Sequence, residues 1–356
     1  MRFLNTLIIA GAATTLAACS AASSAPVTSR ANQPSEAPVV ETLSPLTGLP
    51  ESAATPVLIV KMDNTRNAQP HAGLKDADVV YLEEVEYGIT RIAAVYSSKI
   101  PDRIGPTRSA RITDIDLTAQ YGTPAFAFSG VQHKMWPAIN ASTVVDVSPN
   151  KDASAYTRDH SRKMPYNLFL NGTKVLAWAA DKGVATDKNI GFVFSSDTPD
   201  GGAPNTGAKM KWSEASAEFT FDPTSGLYNV SLNGIPAKAD ETGANQQAAT
   251  VVIQNVVQTQ SKYWDKGGGN TPHAATIGSG TAIVLRDGKS YNVTWNRPTA
   301  DAGTTFTMAD GSPMPFKPGQ QWVVLLNSKT PATLYPQQSS GPSPAPSAAS
   351  KKPAAI

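Results

Sequence analysis

The sequence predicts an α/β N-terminal domain followed by a smaller β-rich domain. Three observations carry this. Residues 56–195 alternate short apolar runs with helix-like stretches. Residues 197–207 (DTPDGGAPNTG) break that alternation with turn residues. Beyond them, apolar runs are separated by tight turns and no long helical stripe recurs. Alternating strand and helix signals favour α/β layers, whereas short runs spaced by turns favour an all-β domain.

The elements follow in order. Val57–Val60, Val79–Leu82 and Ile89–Ser98 read as short buried strands. Ile112–Tyr121 reads as a helix closed by Gly122, and Ala125–Phe128 as the next strand. Thr173–Lys182 reads as a helix with Thr173 as N-cap and Gly183 after its end. In the second half, Glu218–Phe221 alternates, and Leu227–Leu232 lies between Ser225-Gly226 and the hairpin signal Asn233-Gly234. Thr250–Thr259 reads as one long strand. Gly278-Ser279-Gly280 reads as a bend, followed by a hairpin of Thr281–Leu285 and Tyr291–Trp295 around Asp287-Gly288. Gln321–Leu326 is the last strand.

The termini differ in kind. Residues 1–18 carry Arg2, a short apolar run and small residues, the marks of an export signal. The run is too short and interrupted to span a membrane, which needs about 20 apolar residues. Leu16-Ala17-Ala18-Cys19 matches a bacterial lipobox, and Cys19 is the only cysteine in the chain. Lipid on Cys19, with palmitate as the expected acyl chain, would anchor the protein to the extracytoplasmic face of the cell membrane. A single cysteine also excludes disulfides and cysteine-based metal sites. Residues 19–45 are a Ser/Ala/Pro-rich tether and 337–356 a similar disordered tail. The folded part divides into 46–196, a connector at 197–215, and 216–328. A net charge of +2 gives no field that calls for nucleic acid.

The polar motifs concentrate in the first domain. Asp63 and Asn64 follow the first strand directly, where α/β folds place ligands. Glu84 and Glu86 would share one face of the second strand near Arg91, as an acid/base pair or an ion-paired rim. In Gly105-Pro106-Thr107-Arg108-Ser109-Ala110-Arg111, two arginines open a helix whose N–H groups favour anions. Arginine forks suit phosphate or carboxylate. Arg158, beside Asp159, would join the same cleft. His71, His133, His160 and His273 lack zinc-helix spacing, so no metal is expected, and no cofactor motif is present. No Gly-x-Ser-x-Gly elbow marks a serine nucleophile.

Several of these segments together resemble the YerB family of bacterial lipoproteins. They are Asp63-Asn64, Pro70–Gly73, Val85–Arg91, Gly105–Arg111, Arg158-Asp159 and Lys163–Leu168, continued by Phe219–Pro223, Gly278–Gly280 and Gly319–Trp322. The likeness covers about residues 45–327. It implies two adjoining domains of unknown function and a lipid anchor. Within the family's Glu-Gly-Gly-Ile-Thr-Arg pattern, this chain has Tyr87 where glycine is common. The order of Asp- and Arg-bearing elements is also similar to that of LytR-CpsA-Psr glycopolymer transferases. Their Ile-Pro-Arg-Asp element is absent, so no mechanism carries over.

A pure scaffold whose polar motifs are structural is one reading, and two functional ones stand beside it. One is binding of an anionic wall polymer, or an envelope protein, by Arg91, Arg108, Arg111 and Arg158, oriented by Asp63, Glu84 and Glu86. The other is an envelope hydrolase or glycopolymer transferase with Asp63 or Glu86 as base.

Overall fold

The structure, a computed structural model, describes residues 42–336. The signal peptide, Cys19, most of the tether and the C-terminal tail lie outside the described residues. The strands that place the site are β1 (Leu58–Asp63), β2 (Val79–Glu84), β3 (Thr90–Tyr96), β4 (Ala125–Ala127) and β5 (Val145–Asp146). The second half supplies β6 (Ala203–Lys211), β7 (Ser216–Asp222), β8 (Leu227–Leu232), β9 (Thr250–Val256), β10 (Gln258–Trp264), β11 (Asn270–Ala274), β12 (Gly278–Arg286), β13 (Lys289–Arg297) and β14 (Gln321–Asn327). The helices among the described residues are α1 (Ile112–Ala119), α2 (Trp136–Ala141) and α3 (Gly172–Ala179).

One mixed sheet runs through both halves, in the order β8-β7-β6-β13-β12-β9-β14-β2-β3-β1-β4-β5. β14 lies parallel between β9 and β2, with Val323 opposite both Val252 and Tyr81. β1 and β2 each run antiparallel to β3, so their C-terminal ends share one edge of the sheet. The protein is therefore mostly β, with few and short helices. The expected separation into an α/β half and a β-rich half is not seen, because strands of both halves are neighbours in this sheet.

Strands buried on both faces need continuous apolar sequence. β1, LIVKMD, is buried at every position, and β14 at all but its last. Leu58, Val60 and Trp322 enter one core; Ile59, Tyr81 and Val323 enter the other. Each core also takes a helix: α3 through Val175 and Ala179, α1 through Leu117.

Local departures from the sequence reading have physical causes. Ala203–Lys211, inside the expected connector, is strand β6, and its buried Ala208 and Met210 are masked in the sequence by Pro204 and Gly207. Gly278–Gly280 continues β12 and is not a bend. Gly280 is small because the Trp295 indole lies against it; a Cβ there would meet Nε1 at 2.6 Å. α3 starts one residue early, capped by Asn171, whose side chain accepts the Lys174 N–H at 2.8 Å, and not by Thr173. The run from Thr250 breaks at the exposed Val257 into β9 and β10.

Candidate functional site

The candidate site lies where β1 and β2 end and β3 begins. The loop after Gly105 crosses this edge. Its path is fixed by hydrogen bonds from Thr107 N–H to the Leu168 carbonyl at 2.7 Å and from Arg108 N–H to the Lys61 carbonyl at 2.8 Å. Gly105 has φ +148, and a Cβ there would meet the Leu168 carbonyl at 2.9 Å, so the close approach needs glycine.

Asp63, the last residue of β1, is fully buried. Its Oδ2 lies 2.6 Å from Arg108 Nε and 3.5 Å from an Arg91 terminal nitrogen, and Oδ1 accepts the Thr65 N–H at 2.7 Å. Burial opposes its ionisation. Arg91, the Thr65 N–H and Arg108 outweigh that and hold the carboxyl below the ordinary carboxylate range. Arg91 is itself buried, which pulls its pKa down to about 10 against the attraction of Asp63. Arg111 forks onto Glu86 Oε2, donating from Nε at 2.9 Å and from a terminal nitrogen at 2.8 Å.

The sequence grouping therefore holds for Asp63, Arg91 and Arg108, with Glu86 and Arg111 beside them. Other parts of it do not hold. Glu84 and Glu86 form no pair: β2 ends at Glu84, so the face alternation never reaches Glu86, which turns toward Arg111. Glu84 stands half-buried, its pKa raised by burial and eased by Gln258. The N-terminus of α1 is occupied by its own Asp114, which accepts the Arg111 N–H at 2.6 Å and leaves no room there for an outside anion. Arg158 lies on the ribbon Tyr156–Arg158, opposite Leu168. It is exposed and donates to Asn167 at 2.8 Å. Asn64 is buried, donates to Thr90 Oγ1 at 2.8 Å, and lines a hollow beside Trp212.

Sequence reasoning missed the group beneath. Lys61, fully buried, is bound by Glu83 and by Asp114, the latter at 2.7 Å. Burial, with Asp114 adding to it, raises Glu83 to about 7 despite Lys61. The only signal was one lysine inside an apolar run. With this group included, Lys61, Arg91, Arg108 and Arg111 face Asp63, Glu83, Glu86 and Asp114. The cluster is neutral when all are ionised and positive by one when Glu83 keeps its proton. His71, also buried and missed, has Nε2 2.6 Å from the Asp63 carbonyl, and burial lowers its pKa. Among the described residues, no three or more His, Cys, Asp or Glu side chains are placed to hold a metal ion. No described helix is long and apolar enough to cross a membrane.

Comparison with known proteins gives the chain relatives. Residues 46–185 match the N-terminal domain, and 208–323 the C-terminal domain, of a protein of unknown function, DUF3048. A Bacillus subtilis (strain 168) protein named "Putative lipoprotein YerB" is 24% identical over 303 residues, spanning 82% of this chain and 88% of its own length. The crystal structure of the YerB protein from Bacillus subtilis superposes with a TM-score of 0.69 at 20% identity, over 82% of this chain and 100% of that one. At that identity the likeness shows the fold.

Proposed function

The chain belongs to the DUF3048 family of YerB-like proteins, and from that premise we propose that it is a lipid-anchored envelope protein that binds an anionic wall component at Arg108. Lipid on Cys19 holds it at the extracytoplasmic face of the cell membrane. The lipobox and the name of the Bacillus relative support this.

One observation carries the binding reading. Arg108 is the outermost charge of the cluster, its side chain 25% exposed over a fully buried Asp63. Its Nε lies 2.6 Å from Asp63, and among the described residues its terminal nitrogens make no hydrogen bond to the protein, which leaves them for an anion to engage. The carboxylates that balance the cluster lie beneath, where an arriving anion meets the guanidinium first. Arg111 is spent on Glu86 and serves the architecture.

A hydrolase or transferase is the weaker reading. A general base works best with a pKa near the working pH. Asp63 is held in the opposite direction, and the Glu86 carboxylate is occupied by the Arg111 fork and the Thr271 hydroxyl.

The test is retention of the full-length protein on immobilised poly(glycerol phosphate). Arg108→Ala should weaken binding by about tenfold, as loss of a charge-assisted contact does; because Asp63 then stays buried without its 2.6 Å partner, the comparison is made on protein that near-ultraviolet circular dichroism shows to be folded. Arg111→Ala should lower the melting temperature instead, because it leaves Glu86 buried without its fork. Equal retention of Arg108→Ala and wild type counts against the site.

A further inference from the structure

A second site adjoins the first on the other side of Asn64. The ends of β1 and β3 meet the tight turn between β6 and β7 around a hollow of about 310 Å³. Asn64 and Thr90 form one wall and Trp212, Ser213 and Ser216 the other. Asn233 ties the walls together by donating to the Asn64 carbonyl. A volume near 300 Å³ is the lower end of the range for small-molecule sites.

The hollow is lined by polar atoms that the protein leaves unsatisfied. Asn64 is 1% exposed, and its Oδ1 has no hydrogen-bond partner. Thr90 satisfies one end of that amide, so whichever way the amide is turned the other end is left over. Trp212 is 5% exposed, and its indole N–H has none either. Buried polar side chains nearly always find partners. Two that do not, on residues lining one hollow, point to a partner from outside the chain.

The chemistry of the lining selects that partner. Thr65, Thr90, Ser213, Ser216, Asn64 and Asn233 all carry groups that both donate and accept. A sugar hydroxyl has the same double character: it can accept from an indole N–H or donate to an amide oxygen. The Trp212 indole, Ile89 and Ala215 supply apolar surface for the C–H face of a ring. Arg66 and Lys211 stand exposed at the rim against Glu214, which favours a sugar bearing a carboxylate.

We propose that this hollow binds a saccharide, with Trp212 and Asn64 as its hydrogen-bonding anchors. The proposal does not rest on Arg108, and the two sites can fail separately. The probe is the full-length protein in detergent micelles, titrated with N-acetylglucosamine, its disaccharide with N-acetylmuramic acid, and glucuronic acid. Binding is read by ligand-observed saturation-transfer NMR. Trp212→Phe keeps an aromatic wall, smaller by one ring, and removes the N–H. Saturable binding of at least one sugar is expected, weakened about tenfold by Trp212→Phe and unchanged by Arg108→Ala. Near-ultraviolet circular dichroism confirms that each variant is folded. If Trp212→Phe unfolds, Asn64→Asp serves as the second variant, since it changes the anchor without changing its size. No saturable sugar binding by the folded wild type overturns the proposal, because ordered water alone then fills the hollow. Equal binding by the folded anchor variant also overturns it.

Discussion

At the residue scale, Lys61 shows how much a single buried charge commits a fold to. Its ammonium joins Glu83 from the neighbouring sheet region to Asp114 of α1, with all three side chains at most 1% exposed. Removing one member of a buried ion-paired group costs about 3–5 kcal/mol, because the others stay buried without compensation. Lys61→Met should show a loss of that order in denaturant melts. Glu83→Gln should be mild, since Lys61 keeps Asp114. Glu83 also sets a pH dependence. Glu83 is raised from 4.5 to about 7, so the folded state holds a proton that the unfolded chain releases earlier. That contribution to stability is complete below about pH 4.5 and is lost as pH rises through about 7. Asp78, raised to about 6 chiefly by burial, acts in the same direction. His71, whose pKa burial lowers, acts in the opposite direction over the same range, so the check is a difference from wild type: Glu83→Gln should lose the part of the fall that Glu83 supplies up to about pH 7. An equally steep fall in the variant would mean that Glu83 titrates normally.

At the element scale, the β10–β11 hairpin is a satellite latched to the sheet edge. Thr271 donates to Glu86, the Ala274 N–H reaches Thr113 Oγ1 at 3.1 Å, and His273 meets Asp116 at 2.8 Å. Tyr87 closes the latch: its hydroxyl donates to Asp265 at 2.9 Å, and its ring lies against Gly267 and Gly269. Tyr87 does this from φ 62 and ψ 12, the left-handed region that costs an L-residue roughly 1–2 kcal/mol and glycine nothing. Glycine would suit that backbone; here the tyrosine contacts offset the strain. Tyr87→Gly should change global stability by less than about 1 kcal/mol, because relieved strain and lost contacts oppose each other. It should speed amide exchange across Gln258–Ala274, and unchanged exchange there would show that the hairpin is held without Tyr87. The same scale separates what sequence reveals from what it hides. Leu227–Leu232 was legible to the residue because turn signals frame it on both sides. β6 was hidden because Pro204 and Gly207 interrupt its strand pattern and spell a turn. In the site, Arg108 and Asp63 were legible as polar residues at an element's end. That Asp63 and Glu86 would orient arginines was legible too; which carboxylate takes which arginine was not, since it depends on the path of the Gly105 loop and on where β2 stops. The Asn64–Trp212 hollow joins residues nearly 150 apart, and no local pattern encodes it.

At the scale of the whole molecule, the shared sheet makes the two halves one folding problem. β14 arrives at the end of the chain and inserts between β9 and β2, pairing with both in parallel. Without it, β2 would expose a backbone edge and the apolar face built by Val80 and Leu82, which packs with Trp322 and Val324 in one core. Parallel strands joined across such a sequence distance must wait for most of the chain, so the sheet closes late. The segment 46–196 expressed alone should therefore lack a sharp thermal transition and should bind a hydrophobic dye. Adding 197–336 as a separate chain should restore the near-ultraviolet signal of the intact protein. Both candidate sites would follow the same course. The Arg108 site is built within the first half, yet its Glu86 anchor takes Thr271 from the second, and the hollow has one wall from each. Sugar and polyanion binding should thus be absent from 46–196 and return together on reconstitution. A sharply melting 46–196 that binds the polyanion as well as the whole protein would show instead that the first half is self-sufficient and that β14 merely covers its edge.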